Sequence, residues 1–129
     1  MTQTPKNIAI VGSGLVGSLL AIYLRKHGHR ITVFDRRPDI RTIQFSGRSI
    51  NLAMSDRGWR ALAEIGIEDE IKKIAIPMDR RAMHVLGKPI YFQNYGKDGE
   101  AIWSISRGVL NRKMIDLAEK SGVEFKFEE

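Results

Sequence analysis

The first 35 residues have the pattern of a strand, a glycine-rich turn, a helix and a second strand, which predicts an α/β fold on a parallel sheet. Residues 8–11 are short, apolar and β-branched, as a buried parallel strand requires, and residues 31–34 form a second apolar run. Between the two runs, apolar side chains recur at helical spacing (Leu15, Val16, Leu19, Leu20 and Tyr23), and Gly28 ends the helix.

The turn after the first strand has the glycine spacing of a dinucleotide-binding site. Gly12 permits the tight turn, Gly14 lets a pyrophosphate approach the backbone, and Gly17 allows the helix to pack near the strand. The N-terminus of the helix offers free N–H groups and a positive dipole end to phosphates. Asp35 lies 18 residues after Gly17, where an acid can bind the ribose of an adenosine. The residues alone leave NAD and FAD open, as well as a βαβ unit with no ligand.

The second segment begins with a loop from Pro38 to about Asn51, which is long for a βα connection and therefore indicates function. A helix follows, with Ser55 as its N-cap and Gly66 at its end. Residues 68–75 form a second short helix that ends before Pro77. The buried side of the first of these helices is expected to hold Trp59, Leu62, Ala63 and Ile65.

The spacing of the apolar residues changes between residues 83 and 105. Three short apolar runs (83–86, 90–92 and 102–105) are separated by glycine-containing turns, which indicates a small antiparallel excursion. Ser106 then caps a helix that ends at Gly122 and has Leu110, Met114, Leu117 and Ala118 on one face, and residues 123–127 form a last strand. Three parallel strands with intervening helices make half of a doubly wound, Rossmann-like sheet.

The composition is that of one globular domain of 129 residues with no cysteine, which excludes disulfides and thiol chemistry. The net charge of +6 comes with no nucleic-acid recognition motif, so an anionic cofactor or substrate explains it more simply than nucleic acid does. The three histidines lack metal-ligand spacing, and we expect no metal site. We also expect neither a signal peptide nor a membrane segment, and a cytoplasmic location.

Several further motifs carry a resemblance to a known family. Residues 47–53 are Gly-Arg-Ser-Ile-Asn-Leu-Ala, and this run is far more specific than the glycine turn. At matching spacings, the chain closely resembles the kynurenine 3-monooxygenase family, a branch of the FAD-dependent aromatic hydroxylases. The other motifs that carry the resemblance are Ile76-Pro77-Met78, Arg81-Ala82-Met83-His84, Tyr95-Gly96 and Ser104-Ile105-Ser106-Arg107.

The resemblance covers essentially the whole chain and implies a flavoprotein monooxygenase. NADPH reduces bound FAD, the reduced flavin takes up O2 as a C4a-hydroperoxide, and this species hydroxylates L-kynurenine to 3-hydroxykynurenine. Because the flavin carries the difficult step, we expect no catalytic side chain.

The resemblance also implies roles for individual residues. FAD contacts fall on the glycine turn (Gly12, Gly14, Val16 and Gly17), on the segment Phe34, Asp35, Arg36 and Arg37, and on Ala53 and Arg107. The family commonly has glutamate where this chain has Asp35. Substrate contacts fall on Arg81, whose planar guanidinium suits the carboxylate of kynurenine, and on Tyr95.

The residues themselves leave plainer alternatives open. Arg81 could form a solvated pair with Arg80, Tyr95 could be an ordinary turn residue, and Arg107 could be a surface cation. Family members are several times longer, so we expect residues 1–129 to be the N-terminal part of an FAD-binding domain, with residues 80–106 giving the first strands of the substrate layer. Such a chain would be inactive alone and could self-associate through its open sheet. A different aromatic substrate, or a non-catalytic nucleotide-binding module, remains an alternative.

Overall fold

The computed structural model describes residues 4–43, 50–97 and 99–129. Residues 44–49, which belong to the predicted functional loop and include the start of the run 47–53, lie outside this part of the chain, as does Asp98. In order, the elements are β1 (Asn7–Val11), α1 (Leu15–Lys26), β2 (Arg30–Asp35), β3 (Asn51–Met54), α2 (Asp56–Ile65), α3 (Glu68–Lys72), β4 (Ile76–Met78), β5 (Arg80–Met83), β6 (Tyr91–Asn94), β7 (Ile102–Ser106), α4 (Arg107–Lys120) and β8 (Glu124–Phe127).

The parallel sheet has the strand order β1-β2-β8, with β2 in the centre. Its register sets Ile8 opposite Ile31 in the first pair of strands and Phe34 opposite Lys126 in the second. The prediction of three parallel strands with intervening helices is therefore confirmed. Because β1 and β2 are parallel neighbours, their carboxyl ends lie at the same edge of the sheet, next to the start of α1.

The main core lies between this sheet and the two longest helices. The α1 helix packs against β2 on one side and α4 on the other. It does so through small residues, Ser18 and Ala21, together with Ile22, whereas Val16 is 79 % exposed. Further core side chains come from the central strands and from α4, namely Ile10, Ile31, Val33, Leu110, Met114 and Ala118.

A second, antiparallel sheet has the order β3-β7-β4, and the sequence predicts only its central strand. The predicted loop ends at about Asn51 and no strand is predicted before the helix that follows Ser55, but Leu52 pairs with Ile105 of β7. Residues 76–78 also pair with β7, although Pro77 was interpreted as a helix stop. Because β4 is an edge strand, the missing N–H of Pro77 can face away from the ladder.

The helix α2 begins after Ser55 and ends at Gly66, as predicted. Leu62 and Ile65 are buried, but Ala63 is exposed, so its predicted burial is wrong. The reason is geometric: α2 turns Leu62 and Ile65 inward, and Ala63 follows Leu62 by about 100° around the helix.

The remaining strands, β5 and β6, form a separate antiparallel pair with Arg81 opposite Gln93. The predicted run 83–86 is therefore shifted by three residues, because the pairing begins at Arg80. Apolar side chains on and beside this pair, including Leu86 and Phe92, are exposed. Within the described residues, no helix is long and apolar enough to cross a membrane.

Candidate functional site

The glycine turn at the end of β1 uses each of its glycines for a different purpose. Gly12 has φ +106°, which side chains rarely permit, and its N–H donates to the Phe34 carbonyl at 2.7 Å. A Cβ on Gly17 would lie 1.9 Å from the Gly12 carbonyl oxygen, so α1 and the turn are in direct backbone contact. A Cβ on Gly14 would meet no atom within 4 Å. Gly14 is therefore the glycine whose open side is free for a ligand.

A cavity of about 340 Å³ lies beside Gly14. Gly14 is the N-cap of α1, and Arg107 and Gly108 form the first turn of α4, so two helix N-termini meet at this cavity. Arg37 lines it as well. Two guanidinium groups and two positive helix ends together favour an anionic ligand. The remaining lining residues are Leu15, Ile40, Ile50 and Asn111.

Asp35 ends β2 and is almost fully buried, with 4 % of its side chain exposed. Its Oδ2 accepts hydrogen bonds from the Ser13 N–H at 2.8 Å and from the Ser13 hydroxyl at 2.6 Å. Arg37 donates its backbone N–H and its Nε to Oδ1, and its Nη2 to Oδ2, at 2.9 to 3.0 Å. The Arg37 guanidinium first, and then the Ser13 bonds, hold the pKa of Asp35 well below its usual range against the opposing effect of burial. The carboxylate therefore joins the glycine turn to the segment that follows β2.

That segment is fixed to α4 by ion pairs. The Arg41 guanidinium bonds Asp39, Asp116 and Glu119 at 2.6 to 3.0 Å, and these bonds raise the pKa of Arg41. Arg112 of α4 donates from Nη2 to the Ile43 carbonyl at 2.9 Å. These contacts hold the segment next to α4, and Ile40, which directly precedes Arg41, lies at the cavity wall.

The structure brings three of the predicted cofactor residues, Gly14, Arg37 and Arg107, to this one cavity. Three others do not line the cavity: Gly12 and Gly17 shape the turn, and Asp35 bonds Arg37. Arg107 comes from a helix that starts 70 residues further along the chain than Arg37, and its N–H donates to the Ile50 carbonyl at 2.9 Å.

Four other predicted cofactor residues lie apart from the described cavity wall. Val16 lines a groove between α1 and α2. Phe34 borders the other face of the parallel sheet, with the Lys126 Nζ 5.7 Å from its ring centroid. Arg36 is exposed, and Ala53 is exposed in β3, opposite Ser104. The prediction that all four contact the cofactor remains untested.

The two predicted substrate residues lie in and next to the β5–β6 pair. The Arg81 guanidinium donates to the Gln93 Oε1 from Nε at 3.1 Å and from Nη2 at 2.7 Å. Tyr95 follows β6, and its N–H bonds the Asp79 carbonyl at 3.0 Å. Arg81 is opposite Gln93 within the pair, whereas Tyr95 lies in the bend that follows β6.

Two polar residues of the site have no counterpart among the predicted contacts. Ser13 could have been inferred, because it stands inside the glycine turn, next to an acid at the end of the neighbouring strand. Asn111 gives no sequence signal, and it lines the cavity with its Oδ1 buried and without a hydrogen-bond partner in the described part of the chain. Within residues 4–43, 50–97 and 99–129, no three histidine or carboxylate side chains form a group that could hold a metal ion.

Comparison with known proteins agrees with this geometry. Residues 10–75 match the family described as the NAD(P)-binding Rossmann-like domain. The chain is similar to two curated proteins named kynurenine 3-monooxygenase, at 72 % identity in Christiangramia forsetii and 67 % in Flavobacterium johnsoniae. Each match covers 98 % of this chain, which spans 28 % of the length of each relative.

Solved structures with the same fold include two oxygenases. A variant of 2-methyl-3-hydroxypyridine-5-carboxylic acid oxygenase superposes with a TM-score of 0.75 at 19 % identity, over 98 % of this chain and 32 % of its own. The p-nitrophenol 4-monooxygenase PnpA from Pseudomonas putida DLL-E4 superposes with a TM-score of 0.74 at 19 % identity, over 97 % and 33 %. At these identities the similarity shows the fold alone.

Proposed function

The chain belongs to the family of NAD(P)-binding Rossmann-like domains, and we propose that it binds the adenosine and pyrophosphate end of FAD in a kynurenine 3-monooxygenase. In this proposal the complete enzyme uses NADPH and O2 to hydroxylate L-kynurenine to 3-hydroxykynurenine. The choice of FAD and of kynurenine is supported by relatives of that name at 67 to 72 % identity.

The observation that carries the proposal is the cavity beside Gly14. Its two helix N-termini and its two arginines, Arg37 and Arg107, form an electropositive cradle for a pyrophosphate. The open side of Gly14 leaves space for the phosphate to approach the backbone. The residues present therefore fit the nucleotide half of FAD.

Each predicted contact has a role within this proposal. Gly12, Gly14 and Gly17 shape the turn, Arg37 and Arg107 neutralise phosphate charge, and Asp35 binds the adenosine ribose. The remaining cofactor contacts are Val16, Phe34, Arg36 and Ala53. When bound, the flavin supplies the oxygen-activating chemistry, and the protein orients it and excludes water.

The substrate end is assigned to the strand pair β5–β6. Arg81 holds the carboxylate of kynurenine and Tyr95 hydrogen-bonds the same end of the molecule. Residues 80–106 then supply the first strands of the substrate layer. These 129 residues span 28 % of the length of the similar kynurenine 3-monooxygenase from Christiangramia forsetii, and we infer that they do not turn over kynurenine alone.

Isothermal titration calorimetry with ADP tests the nucleotide site on the purified chain. We expect ADP to bind, and Arg107→Ala to weaken binding about tenfold or more, because one charge-assisted hydrogen bond contributes about 1.5–3 kcal/mol. Arg60→Ala is the matched control, since Arg60 is an exposed cation of α2. No binding of ADP, or equal weakening by the two variants, would contradict the proposed site.

Two further measurements separate the alternatives. Absorbance after mixing with FAD, combined with the mass in solution, distinguishes a yellow monomer, which supports the flavin site, from a colourless oligomer, which favours a non-catalytic module. Kynurenine-dependent oxidation of NADPH by the purified chain is expected to be absent, and clear turnover would overturn that expectation.

A further inference from the structure

The buried carboxylate of Asp35 already has as many donors as it can accept. Five hydrogen bonds reach its two oxygens, two from Ser13 and three from Arg37, all between 2.6 and 3.0 Å. An ionised carboxylate offers about four lone-pair positions. A ribose hydroxyl therefore cannot add to this carboxylate unless one of the present donors leaves.

The donors differ in how readily they can leave. Ser13 is buried, and its backbone N–H would lose its partner in a place that water does not reach. The Arg37 side chain is 65 % exposed and lines the cavity, so its guanidinium can return to water or turn to another anion at little cost. The backbone N–H of Arg37 is fixed by the chain and can stay in place. The two guanidinium bonds are thus the exchangeable pair.

We propose that the Arg37 guanidinium is a placeholder for the ribose hydroxyls of the nucleotide. In the free chain it occupies their positions on Asp35. When a nucleotide with these hydroxyls binds, they take over Asp35, and the guanidinium is released into the cavity that it already lines. Arg37 is therefore a positioning residue for Asp35, and its positive charge favours the phosphates whether or not the exchange occurs. This inference rests on the proposed nucleotide site. It implies that the free energy gained from the ribose contact is reduced by the loss of the guanidinium bonds to Asp35.

A comparison of two nucleotides isolates that cost. ADP has both ribose hydroxyls, and 2′,3′-dideoxy-ADP has neither, so only ADP must displace the guanidinium. The measured quantity is the Kd of dideoxy-ADP divided by the Kd of ADP, from calorimetry. In Arg37→Gln the lost charge is expected to raise both Kd values, because Arg37 lines the cavity whether or not it is bonded to Asp35. We expect their ratio to increase about fivefold, which corresponds to an exposed ion pair of about 1 kcal/mol.

Arg60→Gln is the matched control, because it removes the same charge from α2, and it should leave the ratio unchanged. An unchanged ratio in Arg37→Gln, with both nucleotides still binding, would overturn the exchange and leave the nucleotide site intact. Failure of both nucleotides to bind the unaltered chain would overturn the proposed function and the exchange together.

A measurement on the unaltered chain avoids any effect of the substitution on folding. The Arg37 Nε–H is bonded to Asp35 in the free chain, so we expect its hydrogen exchange with solvent, followed by NMR, to be slow. Addition of ADP is expected to change this exchange rate, whereas dideoxy-ADP is expected to leave it as in the free chain. The same rate with both nucleotides would show that Arg37 keeps its contact with Asp35.

Discussion

Alanine at Gly17 should mainly lower stability, whereas alanine at Gly14 should mainly weaken nucleotide binding, because the two glycines face different surroundings. At Gly17 the new Cβ would lie 1.9 Å from the Gly12 carbonyl oxygen. That oxygen belongs to the backbone and cannot turn aside, so α1 must move away from the turn. Overpacking of this kind costs about 1–3 kcal/mol, with backbone contacts at the upper end.

The gain in helix propensity offsets part of this cost. Alanine is favoured over glycine by about 1 kcal/mol inside a helix, and Gly17 lies in the first turns of α1. We therefore expect a net loss of about 2 kcal/mol. With an unfolding entropy of about 2.1 cal/mol/K per residue, this loss lowers the Tm by about 7 °C. Thermal unfolding followed by circular dichroism measures it.

Gly14→Ala is the matched variant. Gly14 has an ordinary φ of −71° and space around its Cβ position. Alanine is a poor N-cap, so we expect a loss of about 0.5 kcal/mol, or about 2 °C in Tm. Binding of ADP should nevertheless fall at least about tenfold, because the methyl group occupies the side from which phosphate approaches. Equal Tm values for the two variants, or unchanged ADP affinity in Gly14→Ala, would refute the assignment of these roles.

Further substitutions test the framework around the site. Arg41→Ala should lower stability by about 1 kcal/mol, as measured by urea unfolding, because it removes two ion pairs that join residues 38–43 to α4 and one ion pair to Asp39 within that segment. Ile115→Ala, at a fully buried position, should cost about 2–5 kcal/mol in the same assay, and Leu117→Ala, at a half-buried one, clearly less. Because the fold lowers the pKa of Asp35, the unfolded chain binds its proton first, so stability should fall as the pH drops below about 4. Asp35→Asn should flatten the dependence of Tm on pH in that range.

The parts of the fold that the sequence predicts are those whose signals are local. β1, α1 and β2 each have their own periodicity, and the turn residues Gly12, Gly28 and Gly66 all adopt positive φ. The strands β3 and β4 have no such signal. They exist because they pair with β7, a partner about 25 to 50 residues further along the chain, and one of them contains a proline. No local pattern reports a pairing over that distance.

The candidate site also has one part that the local sequence predicts and one part that depends on long-range packing. The glycine turn and Asp35 belong to one strand–helix–strand unit, so their proximity follows from the parallel register. The meeting of Arg37 with Arg107 depends on how α4 packs beside α1, and from the sequence it rests on family resemblance alone. The wrong prediction that Ala63 of α2 is buried has a similar cause. Ala63 is apolar, but the contacts of Leu62 and Ile65 decide which side of that helix turns inward.

Asp35 contributes to the fold and to the candidate site through the same oxygens, and this limits what a substitution there can show. The Ser13 bonds hold the glycine turn against β2, and the Arg37 bonds hold the segment that lines the cavity. A weaker affinity in Asp35→Asn would therefore combine a lost ribose contact with a displaced turn. Ser13→Ala separates the two, because it keeps the carboxylate and the backbone bond and removes only the 2.6 Å hydroxyl contact. A ribose contact predicts that Ser13→Ala binds ADP at least as well as the unaltered chain, since one competing donor is gone. If Asp35 instead only stabilises the turn, Ser13→Ala should bind ADP more weakly than the unaltered chain does.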